Sequence, residues 1–547
     1  RLQFGMPTVL APACTRDCPD ACSILAPVAE GRVVRIQGDP AHPVTRGFLC
    51  QRTSRYLERH EDPERVATPL LRRGARLEPI GWDEALDLAA GELRRIRDEH
   101  GPAAILHYRS GGSLGLMKHV VEHFFGRFGP GTGKRGDICS GAGEAAQLVD
   151  FGTSDSNDLF DLLESRHVLL WGKNPYVSNV HLLPVLKEAA RRGARLALID
   201  PIRHRTAELA DLYVQIRPGG DLDLALGIGR VLFDRGGVDP DAASYCDGLE
   251  GYRSLVGSRP AVEWARRAGV EIGVVEELAR RMADRPAAIQ VGWGMQRRAH
   301  GGAIVRALDA LGTVTGNMGV PGGGVSFYFK RRGAFDTAPF EVPPPRTLSE
   351  PLLGREILEA KDPAIRAVWI TAGNPVAMLP DSAAVARALE TREFVVVVDT
   401  HLTDTARRAH LVLPATSMLE DDDVVGAYGN HYVHSVRPVA PRRGEPRTDL
   451  EIVSGLAARL GLGAEFSLSA RDWKRRLLRP GLSLEQVEAG GARSPAARKV
   501  LFEGNRFATP SGRANLLTAV PAEAPADPDH PLWLFSNSTA AAQASQW

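Results

Sequence analysis

The sequence is poor in cysteine and lysine and contains no long hydrophobic run. Only 6 of its 547 residues are Cys and only 8 are Lys, so most of the 67 basic residues are Arg. The chain has 66 acidic residues, so its formal net charge is only +1, which offers no electrostatic basis for binding nucleic acid. No stretch reaches the roughly 18 apolar residues of a membrane-spanning helix, so we expect no direct membrane span.

The amino-terminal end lacks the pattern of a secretory leader. It begins RLQFGMPTVL, without a basic segment followed by a long apolar one, and we therefore expect a cytoplasmic protein. The first residue is Arg rather than Met, which leaves a periplasmic protein whose export leader was removed as the alternative. The length predicts three or four domains, and a composition of 44% hydrophobic and 24% charged residues is typical of globular chains.

Four of the six cysteines lie within the first fifty residues, with the spacing C-x3-C-x3-C-x27-C. They are Cys14, Cys18, Cys22 and Cys50. Disulfide frameworks are typical of small secreted chains, and structural zinc usually needs a pair of ligands at each end of its site. Three close thiolates and one distant thiolate suit the different faces of a [4Fe–4S] cube. The spacing therefore favours an iron–sulfur cluster, with disulfides or zinc as the alternatives.

A fifth cysteine, Cys139, stands between a charged turn and SGAGEAA, which predicts the start of a helix. A thiol at a helix amino terminus has a lowered pKa and can act as a nucleophile or a metal ligand. The alternative is a small buried residue, which is the only interpretation that Cys246 offers.

Two distant segments repeat each other, and we call 168–207 the first unit and 368–406 the second unit. VLLWGKNP and VWITAGNP each predict a buried strand that ends in a tight turn, followed by a helix and a second strand ending in an acid. Asn174 precedes Asp200 by 26 residues, and Asn374 precedes Asp399 by 25. A Thr-Ala pair begins six residues after each acid.

Such strand–turn–helix–strand units are βαβ elements, whose carboxyl-end turns face the ligand crevice of an open α/β sheet. One unit alone would be ordinary α/β structure. Two matched units indicate two similar nucleotide-bearing ligands, or one ligand held across a pseudo-twofold axis. Neither first strand is followed by G-x-G-x-x-G, so the sequence lacks the usual NAD or FAD fingerprint.

Three glycine-rich segments lie between the two units. PGGDLDLALGIG, with Gly219 and Asp221, predicts a helix start able to hold an anionic group. GWGMQRRAHGG follows a predicted strand and supplies Arg297, Arg298 and His300 as candidates for anion binding, with a solvated surface as the alternative. TGNMGVPGGGV lets the backbone approach a ligand closely, unless it is a flexible connection.

Together these motifs resemble the dimethyl sulfoxide reductase superfamily, the molybdenum- or tungsten-dependent oxidoreductases that carry bis(molybdopterin guanine dinucleotide). The order of the cysteine motifs and the two Asn-Pro turns carries the resemblance, with LVLPATSMLE and TPSGR as further landmarks. The resemblance implies a [4Fe–4S] cluster, two pterin dinucleotides and a molybdenum or tungsten ion. It makes Cys14, Cys18, Cys22 and Cys50 the cluster ligands and Cys139 the protein ligand of the catalytic metal.

The resemblance also implies a set of cofactor contacts. Arg52 stands two residues after the fourth cluster cysteine, where the family often has Lys, and keeps the positive charge on a larger head group. The residues expected to bind cofactor are Arg52, Lys173, Asn174, Asp200, Gly219, Asp221, Gly292, Gly294, Met295, Gln296, Gly373, Asn374 and Asp399.

The implied fold class is α/β, with two interleaved doubly wound α/β domains, a small β-rich iron–sulfur domain at the amino terminus and the start of a truncated C-terminal β-barrel domain. Residues 1–62 would form the cluster domain, 63–140 with 335–465 the first pterin-dinucleotide domain, and 141–330 the second. Residues 505–547 would begin the barrel, whose remainder would be missing or lie on another polypeptide.

The implied function is that of a catalytic subunit. It would perform two-electron redox or oxygen- or sulfur-atom transfer on a small-molecule substrate, with electrons passing through the cluster to an iron–sulfur subunit or another redox partner. Ser140 stands where formate dehydrogenases typically have His and nitrate reductases tend to have Met, which counts against both substrates.

Two other functions remain as alternatives. One is a non-redox hydratase, in which the metal acts as a Lewis acid and Asp17 carries a proton. The other is an electron-carrying scaffold without the metal, which Cys139 and the two complete units disfavour.

Overall fold

A computed structural model of the chain describes residues 8–522, 529–530, 532 and 534–541. The first part forms a small sheet in which the second strand pairs antiparallel with the other three. Glu30 and Gly31, with φ of 51° and 74°, make the two-residue turn of its tightest hairpin. The elements are β1 (Thr8–Leu10), β2 (Ile24–Ala29), β3 (Arg32–Val33), β4 (Gln37–Gly38), α1 (Gln51–Ser54) and α2 (Tyr56–His60).

The next part of the chain begins the largest sheet. Its long helix buries Leu86, Leu93 and Ile96, as the helical spacing of these residues predicts. The elements are β5 (Leu70–Arg73), β6 (Arg76–Pro79), α3 (Trp82–His100), β7 (Ile105–Arg109), α4 (His119–Phe128) and β8 (Thr132–Arg135).

The chain then leaves this sheet and builds a second one before returning. The elements of this excursion are α5 (Gly141–Phe151), β9 (His167–Trp171), α6 (Pro175–Ser178), α7 (Leu182–Arg191), β10 (Arg195–Ile199), β11 (Leu212–Val214), α8 (Asp221–Asp234), α9 (Ala242–Tyr245), β12 (Cys246–Asp247), α10 (Leu249–Gly257), α11 (Ala261–Ala268), α12 (Ile272–Ala283), β13 (Ala287–Val291), α13 (Gly301–Val314) and β14 (Gly324–Ser326). Five of its strands form a parallel sheet in the order β11-β10-β9-β13-β14.

The returning chain completes the first sheet. Its elements are β15 (Arg346–Ser349), α14 (Leu353–Glu359), β16 (Ala367–Thr371), α15 (Pro375–Met378), α16 (Ser382–Glu390), β17 (Phe394–Asp399), β18 (Leu411–Pro414), β19 (Asp423–Gly426), β20 (Tyr432–Val436), α17 (Asp449–Arg459), α18 (Ala470–Leu477), α19 (Leu484–Glu488), β21 (Ala492–Arg493) and β22 (Ala514–Asn515). The eight strands run β15-β8-β7-β16-β17-β18-β5-β6, and their pairings are parallel except for β18 with β5 and β5 with β6, which are antiparallel.

The first strand of each unit is buried along its whole length. The sequences HVLLW in β9 and AVWIT in β16 are apolar on both faces because helices cover both sides of a parallel sheet. Each pairs in parallel with the second strand of its own unit. In each sheet the acid therefore lies at the same edge as the turn, where the carboxyl ends of the strands meet. The predicted fold class, α/β with two interleaved, doubly wound sheets, is confirmed.

The boundaries of the predicted domains stay predictions. The predicted start of a barrel at 505–547 falls partly on residues outside those that the structure describes. In the described part of that segment, β22 pairs in parallel with β12 of the excursion. Among the described residues no helix combines the length and apolar character needed to cross a bilayer.

Candidate active site

The four cysteines of the first motif converge in one buried region. Cys14 and Cys22 are each 3% exposed, and the N–H of Cys14 donates to the carbonyl of Cys22 at 2.9 Å. The hydroxyl of Thr53, on α1, lies 3.5 Å from the sulfur of Cys14 and 3.4 Å from that of Cys50. The helix that follows Cys50 therefore returns the distant thiol to the others.

The donor set fits an iron–sulfur cluster. All six cysteines are free thiols, so the disulfide alternative has no support. Burial raises the pKa of Cys22, and the neighbouring thiols, beginning with Cys14, raise it further. In the described part of the chain no three His, Cys, Asp or Glu side chains are arranged to hold a single metal ion. Since thiolates around a cube bind different irons, three buried thiols and the partly buried thiol of Cys50 suit a cluster better than zinc.

Two polar contacts tie residues 14–52, which we call the cysteine loop, to the first unit. Arg52, which is 5% exposed, donates from its guanidinium to the carbonyl of Val177 at 3.0 Å. The Nδ1 of His181 lies 2.8 Å from a carboxylate oxygen of Asp20 and 4.0 Å from the sulfur of Cys22. Because Val177 lies on α6 and His181 precedes α7, the cysteine loop packs on the helices that follow the first turn.

The first unit brings its Asn and Thr into contact. The Oδ1 of Asn174, at the start of α6, accepts from the hydroxyl of Thr206 at 3.3 Å. Asp200 follows β10 and accepts a backbone N–H two residues further on, at 2.9 Å. Burial lowers the pKa of Lys173 to about 8, an effect that Asp20 opposes. The turn therefore presents the half-buried amine of Lys173 near Asp20.

The second unit repeats this arrangement with shorter contacts. The Oδ1 of Asn374 accepts from both the backbone N–H and the hydroxyl of Thr405, at 3.2 and 2.7 Å. Asp399 accepts the N–H of the next residue at 2.6 Å, and burial raises its pKa. Gly373 lies so close to the ring of Tyr108 that a Cβ would come within 2.9 Å of it. The repeated spacing from Asn to Thr therefore reflects a hydrogen bond that both units form.

The segment around Asp221 forms an internal ion pair. Asp221 is 1% exposed and accepts from the indole N–H of Trp171 at 2.9 Å and from Arg298 at 3.0 Å. Gly219, two residues earlier, has a φ of 89°, which a residue with a side chain rarely adopts. Of the candidate anion-binding residues, Arg298 is therefore engaged by Asp221, while Arg297 is exposed.

Cys139 lies in the turn before α5. Its N–H donates to Asp137 at 2.6 Å, and its sulfur lies 4.0 Å from Oδ2 of Asp17. Burial raises the pKa of Cys139, and the charge of Asp17 raises it further, so the lowering predicted for a helix start is wrong. A metal cation at the sulfur would oppose both effects.

Asp17 lies between the four-cysteine motif and Cys139. It directly precedes Cys18, and its other oxygen accepts from the hydroxyl of Tyr428 at 2.9 Å. The ring of Tyr428 stacks on that of Trp293 with centroids 4.6 Å apart. A carboxylate oriented by a buried tyrosine therefore stands beside the sulfur of Cys139.

A cleft opens beside Asp17 at the carboxyl ends of β7, β16 and β17. Its cavity volume is about 130 Å³, and it reaches from Asp17 to Asn374 and Asp399. Gly112 lines it, and a Cβ there would come within 2.5 Å of the carbonyl oxygen of Ala372. A cleft at the carboxyl ends of parallel strands, lined by glycine backbone and a few polar groups, suits contact with a nucleotide-bearing cofactor.

Comparison with known proteins identifies the family. Residues 65–459 match the model of the molybdopterin oxidoreductases, and residues 8–61 match the model of their Fe4S4 domain. The chain belongs to the molybdopterin oxidoreductase family. As a molybdopterin oxidoreductase it is an enzyme whose cofactors are a molybdenum–pterin and a 4Fe–4S cluster, which confirms the family, enzyme and cofactor predictions. The individual ligands and cofactor contacts stay predictions.

Relatives of this molybdopterin oxidoreductase carry several names. The probable oxidoreductase YyaE of Bacillus subtilis is 33% identical over 92% of this chain and 77% of its own length. Trimethylamine-N-oxide reductase of Haemophilus influenzae is 27% identical over 74% of this chain and 58% of its own length. The structure of acetylene hydratase from Pelobacter acetylenicus matches with a TM-score of 0.79 at 22% identity, over 92% of this chain and 77% of that one.

Several residues of the molybdopterin oxidoreductase site carry no local sequence signal. Tyr428 and His181 reach the cysteines from distant parts of the chain, and no motif marks them. Glu350 accepts the N–H of Ile138 at 2.9 Å and so supports the Cys139 turn from the returning chain. Thr53 is different, because its position three residues after Cys50 on a short helix could have been recognised from spacing.

Proposed function

We propose that the chain is the catalytic subunit of a molybdenum- or tungsten-dependent bis-pterin oxidoreductase. It would perform two-electron redox or oxygen- or sulfur-atom transfer on a small substrate. One observation carries this proposal: three buried thiols and the partly buried thiol of Cys50 lie together, and Asp17, the residue before Cys18, has its Oδ2 4.0 Å from the sulfur of Cys139. The proposed cluster ligands are Cys14, Cys18, Cys22 and Cys50, and the proposed metal ligand is Cys139.

The metal and its pterins would supply the two-electron chemistry, and the protein would hold them and control protons. Cys139 would bind the metal through its sulfur. Asp17 would hold a proton at Oδ2, since the hydroxyl of Tyr428 fixes its other oxygen. The first unit would bind one dinucleotide and the second unit the other, through Asn174, Asp200, Asn374 and Asp399.

Arg52 would connect the cluster with the first dinucleotide. It lies two residues after Cys50 and binds the backbone of α6, directly after the first turn. A permanent positive charge there favours the reduced cluster electrostatically. Electrons would then pass to an iron–sulfur subunit or another redox partner in the cytoplasm.

Metal analysis of protein purified without oxygen tests these assignments. For the wild type we expect about four iron atoms per chain, one molybdenum or tungsten, and dye-linked turnover on a panel of sulfur and nitrogen oxides. Cys22→Ser should lose most of the iron, whereas Cys139→Ser should keep the iron and lose turnover. Cys246→Ser, which alters a buried cysteine outside both groups, is the control. Unchanged turnover in Cys139→Ser would contradict the proposal.

A non-redox hydratase is the second candidate, and the position of Asp17 favours it. A carboxyl group 4.0 Å from the sulfur of a metal ligand can exchange a proton with water held in the same place. Hydration of an alkyne panel in the absence of any dye tests this candidate. Asp17→Asn should then slow hydration by roughly a hundredfold or more. Dye-linked turnover on an oxide, without hydration of any alkyne, would exclude it.

A further inference from the structure

Gln296 uses both ends of its amide on the turn that carries Cys139. Its side chain is buried, and Oε1 accepts from the backbone N–H groups of Ala142 and Gly143, at 2.8 and 3.4 Å. Its Nε2 donates to the carbonyls of Ile138 and Cys139, at 3.2 and 2.9 Å. A side chain predicted to contact cofactor therefore binds the protein's own backbone on both sides of Cys139.

Gln296 is itself held firmly against the first unit. It ends the 3-10 turn Trp293–Gln296 that follows β13. A Cβ at Gly292 would come within 1.8 Å of the carbonyl oxygen of Gly172, and one at Gly172 would come within 2.4 Å of the Met295 methyl. This close packing leaves the 3-10 turn little freedom to move relative to the turn that begins the first unit.

The other supports of the Cys139 turn cannot replace Gln296. Asp137 accepts the N–H of Cys139 at 2.6 Å, and Glu350 accepts the N–H of Ile138 at 2.9 Å, so both carboxylates hold N–H groups. The carbonyl of Cys139 accepts hydrogen bonds from Gln296 at 2.9 Å and from the exposed Arg297 at 3.3 Å. Gln296 is therefore the buried donor to this carbonyl and also an acceptor for the first turn of α5.

We infer that Gln296 is a positioning residue, which fixes the sulfur of Cys139 relative to the first unit by binding the backbone on both sides of that cysteine. The inference rests on the proposed function of Cys139 as metal ligand. Gln296 would act through Cys139 and would not contact the substrate. Through it, the metal ligand and the first dinucleotide would share one rigid support.

Two substitutions separate this role from packing. Gln296→Glu keeps the size of the side chain but replaces the donor with an oxygen that faces two carbonyls. Gln296→Leu removes all four hydrogen bonds and keeps most of the buried volume. Gln215→Glu is the matched control, because the amide of Gln215 donates to the carbonyl of Pro201 at 3.1 Å on the surface.

The first measurement is the rate at which iodoacetamide alkylates Cys139, followed by peptide mass spectrometry at one pH. Full-length protein is made in molybdate- and tungstate-depleted medium for this purpose. We expect Gln296→Glu and Gln296→Leu to raise the rate at Cys139 by roughly tenfold, since the turn loses two or more hydrogen bonds. The rate at the buried Cys246 and the iron content should not change.

The second measurement uses protein loaded with metal. We expect the electron paramagnetic resonance spectrum of the molybdenum centre to change in both Gln296 variants and to stay unchanged in Gln215→Glu. Wild-type rates at Cys139 together with a wild-type spectrum would overturn the inference. A parallel rise in alkylation of Cys246 would also overturn it, because the role would then be general stability. Failure of bound metal to protect Cys139 in the wild type would instead contradict the proposed function.

Discussion

The two units share a hydrogen-bonding plan but differ in what covers their turns. In the first unit the turn at Gly172 lies beneath Met295 and Gly292. In the second unit the corresponding residue is Ala372, which keeps the left-handed backbone with φ of 49° against 58° for Gly172. Its turn borders the cleft beside Asp17. The two matched turns therefore differ in their neighbours: the first packs against Gly292 and Met295, whereas the second packs against Gly112 and borders the cleft.

The largest difference should come from glycines that pack on these turns. A Cβ at Gly292 would meet the carbonyl oxygen of Gly172 at 1.8 Å, whereas one at Gly112 would meet that of Ala372 at 2.5 Å. Neither carbonyl can move without its strand, so we expect Gly292→Ala to lower the free energy of unfolding by about 3 kcal/mol or more and Gly112→Ala by about 2. Urea denaturation measures both. An equal loss would mean that the two turns are equally tight.

The asparagines should show the next largest difference. Asn374 is 7% exposed and accepts two hydrogen bonds from Thr405, whereas Asn174 accepts one longer bond from Thr206. Asn374→Ala should cost about 2–3 kcal/mol of unfolding free energy and Asn174→Ala about 1, because each bond contributes roughly 1 kcal/mol and a buried donor is left unpaired.

Double-mutant cycles with Thr405→Val and Thr206→Val isolate these two interactions. A coupling energy in the first unit as large as that in the second would contradict the geometry.

Each half of the molecule also buries a pair of acids, which predicts a pH dependence. Burial raises the pKa of Asp150 to about 7 even though Arg306 binds it at 2.6 Å, and Asp309 lies beside it. Burial likewise raises the pKa of Asp423 to about 6, an effect that Lys118 opposes. Because each folded pKa exceeds the ordinary value of 3.8, the folded chain binds more protons, and the free energy of unfolding falls as pH rises through this window.

Asp150→Asn should reduce the loss of unfolding free energy between about pH 4 and pH 7. Asp423→Asn should reduce it only between about pH 4 and pH 6. Denaturant midpoints measured between pH 4 and 8 test the difference. Asp421 carries a raised pKa of about 7 next to Asp423, so the slope that remains in Asp423→Asn should come partly from it. Identical slopes in the wild type and both variants would refute the prediction.

The smallest effects should come from exchanging the residues at the turns themselves. Ala372→Gly relieves a left-handed alanine and should change the free energy of unfolding by less than about 1 kcal/mol. Gly172→Ala should cost about 1–2 kcal/mol, because the new methyl meets the flexible end of Met295. Thermal unfolding of the two variants tests which substitution has the larger effect. A Gly172→Ala variant more stable than the wild type would show that Met295 does not pack tightly on the first turn.

The spacing within each unit could be recognised from the sequence, whereas contacts between distant elements could not. The offsets from Asn174 to Thr206 and from Asn374 to Thr405 were visible because a hydrogen bond inside one repeated element fixes its spacing. The contact between Tyr428 and Asp17 has no such spacing, because packing of separate elements brings the two residues together.

Electrostatic expectations failed where burial dominates. The pKa of Cys139 was predicted from its helix start alone, but burial and Asp17 raise it. Arg298, a candidate for anion binding, also pairs with Asp221, and no local pattern indicated this contact. In both cases the decisive neighbour comes from another element, and a local pattern holds no information about it.

The excursion between β8 and β15 has a consequence for synthesis of the chain. These two strands are parallel neighbours, with Thr132 opposite Arg346, so everything between them serves as one crossover connection, where a dozen residues would suffice. At about 5–20 residues per second, a ribosome needs roughly 10–40 s to make the 210 residues between Arg135 and Arg346. During that time β15 and β16, the later neighbours of β8 and β7, have not yet been synthesised. The excursion is therefore the part of the α/β structure that can fold first.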